Sequence, residues 1–276
     1  MPQKKLDLEN IEIQLFLEGI FRHYGHDFRN YAMSSFRRRV LKFVHEESLK
    51  TISGLQEKIL HDDSCMERFL MAVSVHVTEM FRDPAFFSAF RKQIVPKLEK
   101  GSFFKVWHAG CSSGEEVYSM AILLKEHELL NRCKIYATDI SQPILERAQS
   151  SIFSLRKMQD YTENYIKSGG KRSFSEYYTV KYHNAIFKRE LQNNIVWGHH
   201  NLVTDSSFNE FQVIVCRNVL IYFNKQLQER VHRLFYGSLE VGGILILGHK
   251  ETISFTPYED CYEVLDATNK MYLKKK

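Results

Sequence analysis

The chain has 276 residues, 44% of them hydrophobic, and a formal net charge of +5, which allows a sizeable core in one large domain or in a domain with a smaller companion. No run approaches the roughly 18 apolar residues that span a bilayer, and the opening MPQKKLDLENIEIQ lacks the apolar centre of a secretory signal, so a cytoplasmic protein without membrane insertion is expected. The five cysteines are too irregularly spaced for a metal knuckle or a disulfide framework, and the twelve histidines include no His-Glu-x-x-His run, so no metal is expected.

The first 75 residues read as helical. Ile11, Leu15, Phe16, Ile20 and Phe21 recur near the helical period, and further helical stretches are predicted near 35–47, 51–60 and 64–74, with Ser53-Gly54 and Asp62-Asp63 as start or break signals. Between Arg22 and His45 the chain carries Arg22, Arg29, Arg37, Arg38, Arg39 and Lys42 against the single acid Asp27, with Phe36, Val40, Phe43 and Val44 at helical spacing. Such a helix has a packed face and a cationic face. The charges suit a solvated surface or a docking face for an anionic partner, and composition leaves the two balanced.

From Phe103 the pattern changes to strands alternating with helices: FFKVWHAG, EEVYSMAILLKEHELL, KIYATDI, QPILERAQS, NNIVWGHH, FQVIVCRN, KQLQERVHRLFYGSL and GGILILGH. Alternation of this kind predicts an α/β fold with a mostly parallel, doubly wound, Rossmann-like sheet. SGGKRSFSEYYTVKYHNAIFKREL breaks the rhythm with tyrosines, β-branched residues and Gly-Gly, and reads as an inserted β-rich lobe. The expected division is a helical domain over 1–75, a linker and ligand-site segment over 76–96, and a sheet domain over 97–276 with the lobe at about 168–194. No internal repeat or low-complexity tract is present.

In a parallel sheet the ligand crevice lies beyond the carboxyl ends of the strands, where the first strand-to-helix turn meets a nucleotide-like ligand. Here that turn is AGCSSGEE, 109–116. Only Gly110 and Gly114 are glycines, and the acids that follow would repel a pyrophosphate. Glu115 and Glu116 suit a cationic ligand, and one with an amino group and a sulfonium is S-adenosylmethionine; alternatively the acids complement the helix N-terminus, worth about 0.3–1 kcal/mol. Asp139, closing KIYATDI, is placed to accept from two ribose hydroxyls or to cap the next helix. A dehydrogenase shares the glycine turn and distal acid, so these two features leave the chemistry open.

Three further motifs narrow it: VTEMFRDPAFF (77–87), GHHNL (198–202) and CRNVLIYF (216–223). With the glycine turn, and in this order, they closely resemble the CheR family of chemotaxis receptor methyltransferases over most of the chain. The resemblance implies a helical amino-terminal domain, a Rossmann-like methyltransferase domain with a small inserted lobe, S-adenosylmethionine as methyl donor and S-adenosylhomocysteine as product. It implies that Thr78 and Arg82 meet the methionine end of the donor, with His76 standing where some members have asparagine. Glu116 would take the donor's amino group near Gly110, Asp139 its ribose, and Asn201 and Leu202 its adenine. Arg217, Asn218 and Tyr222 would sit at the mouth of the pocket. Arg82, Arg217 and Tyr222 would serve catalysis, and Arg37, Arg38, Arg39 and Lys42 would dock the substrate.

The implied substrate is glutamate on the cytoplasmic helical region of a membrane chemoreceptor, methylated to an ester by a monomeric enzyme. A glutamate carboxylate is already ionised at neutral pH and needs no general base, so the lack of an obvious catalytic dyad fits. Two alternatives are methylation of another acidic protein in a chemotaxis-like system and a non-catalytic donor-binding module. A nucleic-acid partner is not expected: the Asn/Asp-Pro-Pro-aromatic motif is missing and the net charge is low for a duplex binder. Whether the lobe binds a receptor tail peptide is left open.

Overall fold

The computed structural model describes residues 2–73 and 78–276. The amino-terminal part is helical: α1 Pro2–Tyr24, α2 Met33–Glu46, α3 Ile52–His61 and α4 Asp63–Val73. Each amphipathic helix contributes a stripe to one core. Phe36, Val40, Phe43 and Val44 of α2 are all buried, as their spacing requires, and meet Ile13, Phe16, Leu17 and Ile20 of α1. Phe69 of α4 lies among them, its ring centroid 5.2 Å from Phe16 and 5.6 Å from Phe43. Burying each such side chain contributes about 1.5–3 kcal/mol.

The helical period of α1 is as read, and Phe16 and Ile20 face the core, but Ile11 and Leu15 do not. Ile11 and Leu15 are 53% and 58% exposed. Ile13 and Leu17 take the core positions because α1 packs against α3 on that side. The helix carries two apolar stripes, and periodicity does not say which one is covered. Thr51 rather than Ser53 starts α3: its Oγ1 accepts the Gly54 N–H at 3.0 Å.

The segment expected as a linker holds the short helices α5 Pro84–Gln93 and α6 Val95–Leu98. Phe86, Phe87 and Phe90 of α5 are buried in the core of the sheet domain, so this segment is packed structure. Then follow β1 Phe104–Ala109, α7 Glu115–Glu126, β2 Cys133–Asp139, α8 Gln142–Gln149, β3 Ile152–Ser154, α9 Met158–Lys167, β4 Tyr178–Lys181, β5 Asn184–Phe187 and β6 Ile195–His199. The chain continues through β7 Phe211–Cys216, α10 Lys225–Ser238, β8 Leu239–Leu247, β9 Tyr262–Asp266 and β10 Met271–Lys274.

Among the described residues the main sheet has seven strands in the order β6-β2-β1-β7-β8-β10-β9. The first five are parallel, and β10 and β9 add an antiparallel edge. Val106, Trp107, His108 and Ala109 of β1 are all buried, as expected where helices cover both faces. The chain steps from β1 out through β2 to β6, then returns to place β7 on the other side of β1. The strand order therefore reverses between β1 and β7, and the crevice beyond their carboxyl ends is the ligand position for this fold.

The segment read as an inserted lobe supplies β4 and β5 of a separate antiparallel sheet of order β3-β5-β4, whose first strand precedes that segment in the chain. Tyr165 and Tyr177 donate hydroxyl hydrogen bonds to buried Glu126 of α7, which also pairs with Arg91 of α5 at 2.6 Å, so the lobe is tied to both helices. The helical domain joins the sheet domain through the loop after β7. Ala32 N–H donates to Tyr222 O at 2.8 Å, Asn224 N–H to Asn30 O at 2.9 Å, and the Tyr31 and Phe223 rings lie 5.0 Å apart.

Candidate functional site

A pocket opens at the β1/β7 reversal and is walled by both domains: Phe28, Tyr31 and Val73 on the helical side, and the turns after β1, β2, β6 and β7 on the other. The turn after β1 is shaped by backbone that only small residues accept. Gly110 and Gly114 have φ of +78° and +90°, and a Cβ on Gly110 would stand 2.6 Å from Val219 Cγ2. The Gly110 and Cys111 N–H groups both donate to Thr138 O at 2.9 Å, which pins the turn against the end of β2.

Asp139 holds this region together. Its carboxylate accepts from Ser112 N–H at 2.9 Å and from Ser141 N–H at 3.1 Å. Ser141 is the residue preceding α8. Asp139 thus lines the pocket and braces the start of α8 through the Ser141 N–H, while the N-cap position, expected at Asp139 in one reading, falls to Ser141.

The adjacent glutamates go to different places. Glu115 is buried, accepting from Ser113 Oγ at 2.6 Å and the Tyr161 hydroxyl at 3.3 Å, and burial pushes its carboxyl above the usual range. Glu116 lines the pocket. Its Oε1 lies 3.0 Å from His108 Nδ1, and its Oε2 accepts from Arg217 Nη1 at 2.9 Å. Burial would raise the Glu116 carboxyl, but the hydrogen bond to His108 and the Arg217 charge outweigh it and hold it below the ordinary range. Glu116 is therefore an anion facing the crevice.

Arg217 is only 2% exposed in its side chain and bridges two acids: its Nη2 also donates to Asp83 Oδ2 at 2.5 Å, and its guanidinium lies 4.2 Å from the Phe86 ring centre. Both ends of its fork are taken by carboxylates, so it braces the pocket lining through Glu116 and Asp83. Asp83, in a left-handed conformation at the head of α5, ties the segment containing Arg82 to this brace.

Thr78, Arg82, Asn201, Leu202, Asn218 and Tyr222 also line the pocket; His76 lies outside the described residues. Asn201 Oδ1 accepts the Val203 N–H at 2.9 Å, shaping the turn after β6. The Tyr222 hydroxyl is raised above its ordinary range by burial, against the opposing charges of Arg39 and Arg82, and so stays protonated as a donor.

The four basic residues of α2 separate. Arg37 pairs with Glu9, Arg38 is exposed, and Lys42, 76% exposed in its side chain, pairs with Glu46 at 3.2 Å. Arg39 turns inward, its guanidinium carbon 5.0 Å from the Tyr222 ring centre. Its Nε and Nη1 are buried without a hydrogen-bond partner among the described residues, and burial lowers its pKa. Sequence reasoning missed His108, Asp83, Phe28, Tyr31, Ile140, His200 and Val219. His108 and Asp83 flank the glycine turn and the TEMFR motif, a positional hint, whereas Phe28 and Tyr31 belong to another domain and carry no local signal.

The residues fit S-adenosylmethionine: an ionised carboxylate for an ammonium, a braced aspartate at the end of β2 for a ribose, and the apolar Ile140 and Leu202 for a base. Among the described residues no group of three His, Cys, Asp or Glu side chains is placed to hold a metal ion, and no helix is long and apolar enough to cross a membrane.

Comparison with known proteins agrees with this arrangement. Residues 76–271 match "CheR methyltransferase, SAM binding domain", and residues 11–74 match "CheR methyltransferase, all-alpha domain". The chain is 48% identical over 265 residues to the putative methyltransferase Cher3 of Pseudomonas putida, covering 96% of this chain and 97% of that one. It is 31% identical over 270 residues to a chemotaxis protein methyltransferase of Listeria innocua, covering 97% and 98%. A chemotaxis protein methyltransferase of Listeria monocytogenes is 30% identical over 272 residues, with 97% and 98% covered.

Proposed function

Because the chain belongs to the CheR methyltransferase family and carries its S-adenosylmethionine-binding domain, we propose that it converts glutamate side chains on the cytoplasmic helical region of a membrane chemoreceptor to methyl esters. The observation that carries the acceptor half of this reading is the approach of Arg39 to Tyr222. The guanidinium of Arg39, whose Nε and Nη1 are buried without a hydrogen-bond partner among the described residues, lies 5.0 Å from the ring centre of Tyr222, and Tyr222 and Arg82 line a pocket suited to the donor.

The bound donor would supply an electrophilic methyl group on a sulfonium. In this reading Glu116 holds the donor's ammonium and Asp139 its ribose hydroxyls, while Asn201 and Leu202 meet the base. The acceptor carboxylate, ionised at neutral pH, needs placing about 3–3.5 Å from the methyl carbon and in line with the sulfur, without proton abstraction. Arg82 and Tyr222, which line the pocket, would supply that placement, with Arg39 set beside the Tyr222 ring. These donors need only orient the carboxylate, since a tighter grip would stabilise a charge that falls on the way to the transition state. Arg217 is assigned a positioning role, because its fork is filled by Glu116 and Asp83. Residues 1–75 would dock the receptor helix through Arg38 and Lys42, and the segment up to 96, packed into the sheet-domain core, carries Thr78 and Arg82 to the pocket of the transfer domain.

The test is incubation of the protein with donor labelled in its methyl group and membranes carrying chemoreceptors. Base-labile label on a receptor-sized band is expected. Label confined to another protein, or stable to base, would reject the acceptor assignment.

A further inference from the structure

Glu251, four residues beyond β8, does not line the pocket, yet it is one of the most heavily engaged groups beside it. The residue is 4% exposed. Its carboxylate accepts the backbone N–H groups of Gly248 at 2.5 Å, Asn218 at 3.1 Å, and Val219 and Leu220 at 2.8 Å each. Three of these four donors belong to the loop after β7. That loop carries Arg217, Asn218, Val219 and Tyr222 into the pocket.

The loop has a single 3₁₀ turn, Leu220–Tyr222, and its first residues lie outside any regular element. Asn218 sits at φ +62°, in the left-handed region, and the turn begins two residues later, after Val219. Consecutive N–H groups aimed at one point form an anion-binding concavity, and here the chain fills it with its own side chain. Gly248 makes the approach possible: a Cβ there would lie 2.7 Å from Glu251 Oε2 and 2.9 Å from Asn218 N. Burial raises the Glu251 carboxyl above its ordinary range, the four N–H bonds only partly opposing it, and among the described residues no cation forms an ion pair with it.

We propose that Glu251 is a positioning residue of the methyl-transfer site, fixing the Asn218–Leu220 backbone so that Asn218, Val219 and Tyr222 meet the donor pocket in one arrangement. A glutamine at this position would turn an NH₂ group toward converging N–H donors, and an aspartate would be one methylene short. The inference rests on the donor half of the proposed function and is independent of the acceptor.

The experiment compares the full chain with Glu251→Gln and Glu251→Asp, using S-adenosylhomocysteine as the calorimetric probe. Hydrogen exchange at Asn218–Leu220 and donor kinetics on receptor membranes accompany it. Glu251→Gln is expected to keep its circular dichroism, bind the product at least tenfold more weakly, and exchange the three amides at least tenfold faster, with α7 amides unchanged. Donor KM should rise while kcat falls, and Glu251→Asp should lie between. A merely structural role would lower the active fraction and leave KM alone. Wild-type affinity and protection in folded Glu251→Gln would overturn the proposal. If that variant does not fold, the wild-type chain still decides: amides 218–220 that exchange freely without ligand overturn it, and protection matching β7 supports it. A wild-type chain that binds product but labels no receptor rejects the acceptor reading alone.

Discussion

Asp139 meets two demands at once, and they set what its replacement would do. Its carboxylate braces Ser112 and Ser141 through their backbone N–H groups and also faces the pocket. Asp139→Ala removes two charge-assisted bonds and, in the proposed role, the ribose contact; hydrogen bonds to charged groups contribute about 1.5–3 kcal/mol each. Product affinity measured by calorimetry should fall by about ten- to a hundredfold, and unchanged affinity would remove the ribose assignment. Tyr222 and Arg82 call for a different outcome. Tyr222→Phe and Arg82→Ala should lower turnover more than donor affinity, by about tenfold for the loss of one hydrogen bond of about 1.4 kcal/mol and by more for the arginine. Equal losses in both quantities would move these residues from the transfer centre to donor binding. Glu115 and Glu116 show how little a motif says about one residue: helix geometry turns one toward Tyr161 and its neighbour toward the crevice.

Helix α2 carries the proposed receptor contact. Arg38 and Lys42 lie one turn apart at its surface, whereas Arg39 reaches Tyr222. Exposed ion pairs are worth about 0–1 kcal/mol and are screened over about 8 Å at physiological salt. Arg38→Glu with Lys42→Glu should therefore leave product affinity unchanged, lower methylation of receptor membranes at low salt, and lose part of that deficit at high salt. Normal methylation at low salt would return this face to ordinary solvated surface. The helical domain has an electrostatic fastening of its own at Glu47, which accepts from Arg68 at 2.8 and 2.9 Å and from Lys58 at 2.7 Å. Hydrogen bonds from Arg68 and Lys58 draw its pKa from 4.5 down to about 2. A depressed carboxyl contributes stability that is present above its unfolded pKa and is lost as the pH falls from about 4.5 toward 2. The melting temperature should fall across that window, and Glu47→Gln should flatten this part of the profile; an unchanged slope would show that the pair contributes nothing.

At the scale of the whole molecule, the pocket is a seam. Phe28, Tyr31 and Val73 close one side, the turns after β1, β2, β6 and β7 the other, and Ala32 N–H reaches across to Tyr222 O at 2.8 Å. A ligand held by both walls stabilises both domains. S-adenosylhomocysteine at a hundred times its Kd should add about 2.7 kcal/mol and raise the melting temperature of the chain in one transition. Asp139→Ala should shrink that shift. A ligand-induced shift confined to the sheet domain, with the helical domain melting as before, would show that the amino-terminal wall does not take part.

Although it did not mark α5, α6, α9 or strands β3, β9 and β10, the amino-acid sequence by itself determined the alternation of β1, α7, β2 and α8 and of β6, β7, α10 and β8, the amphipathic stripe of α2 and the glycine turn after β1. These follow from periodicity, small residues and local backbone chemistry within a few positions of one another. The glycine turn and the strand-end position pointed to Glu116 and Asp139, because a doubly wound sheet brings successive strand ends to one edge, whereas Asn201 and Tyr222 were implied by the family resemblance alone. Tertiary structure alone decided which stripe of α1 is buried, since α1 carries two and packing chooses. It alone joined Arg39 to Tyr222, Arg217 to Asp83, and Glu251 to Asn218–Leu220, contacts spanning 183, 134 and 31–33 positions of chain. Charge and hydrogen-bonding capacity are written in each residue type. Whether an arginine faces solvent, a carboxylate or a ring depends on which distant segment folding sets beside it.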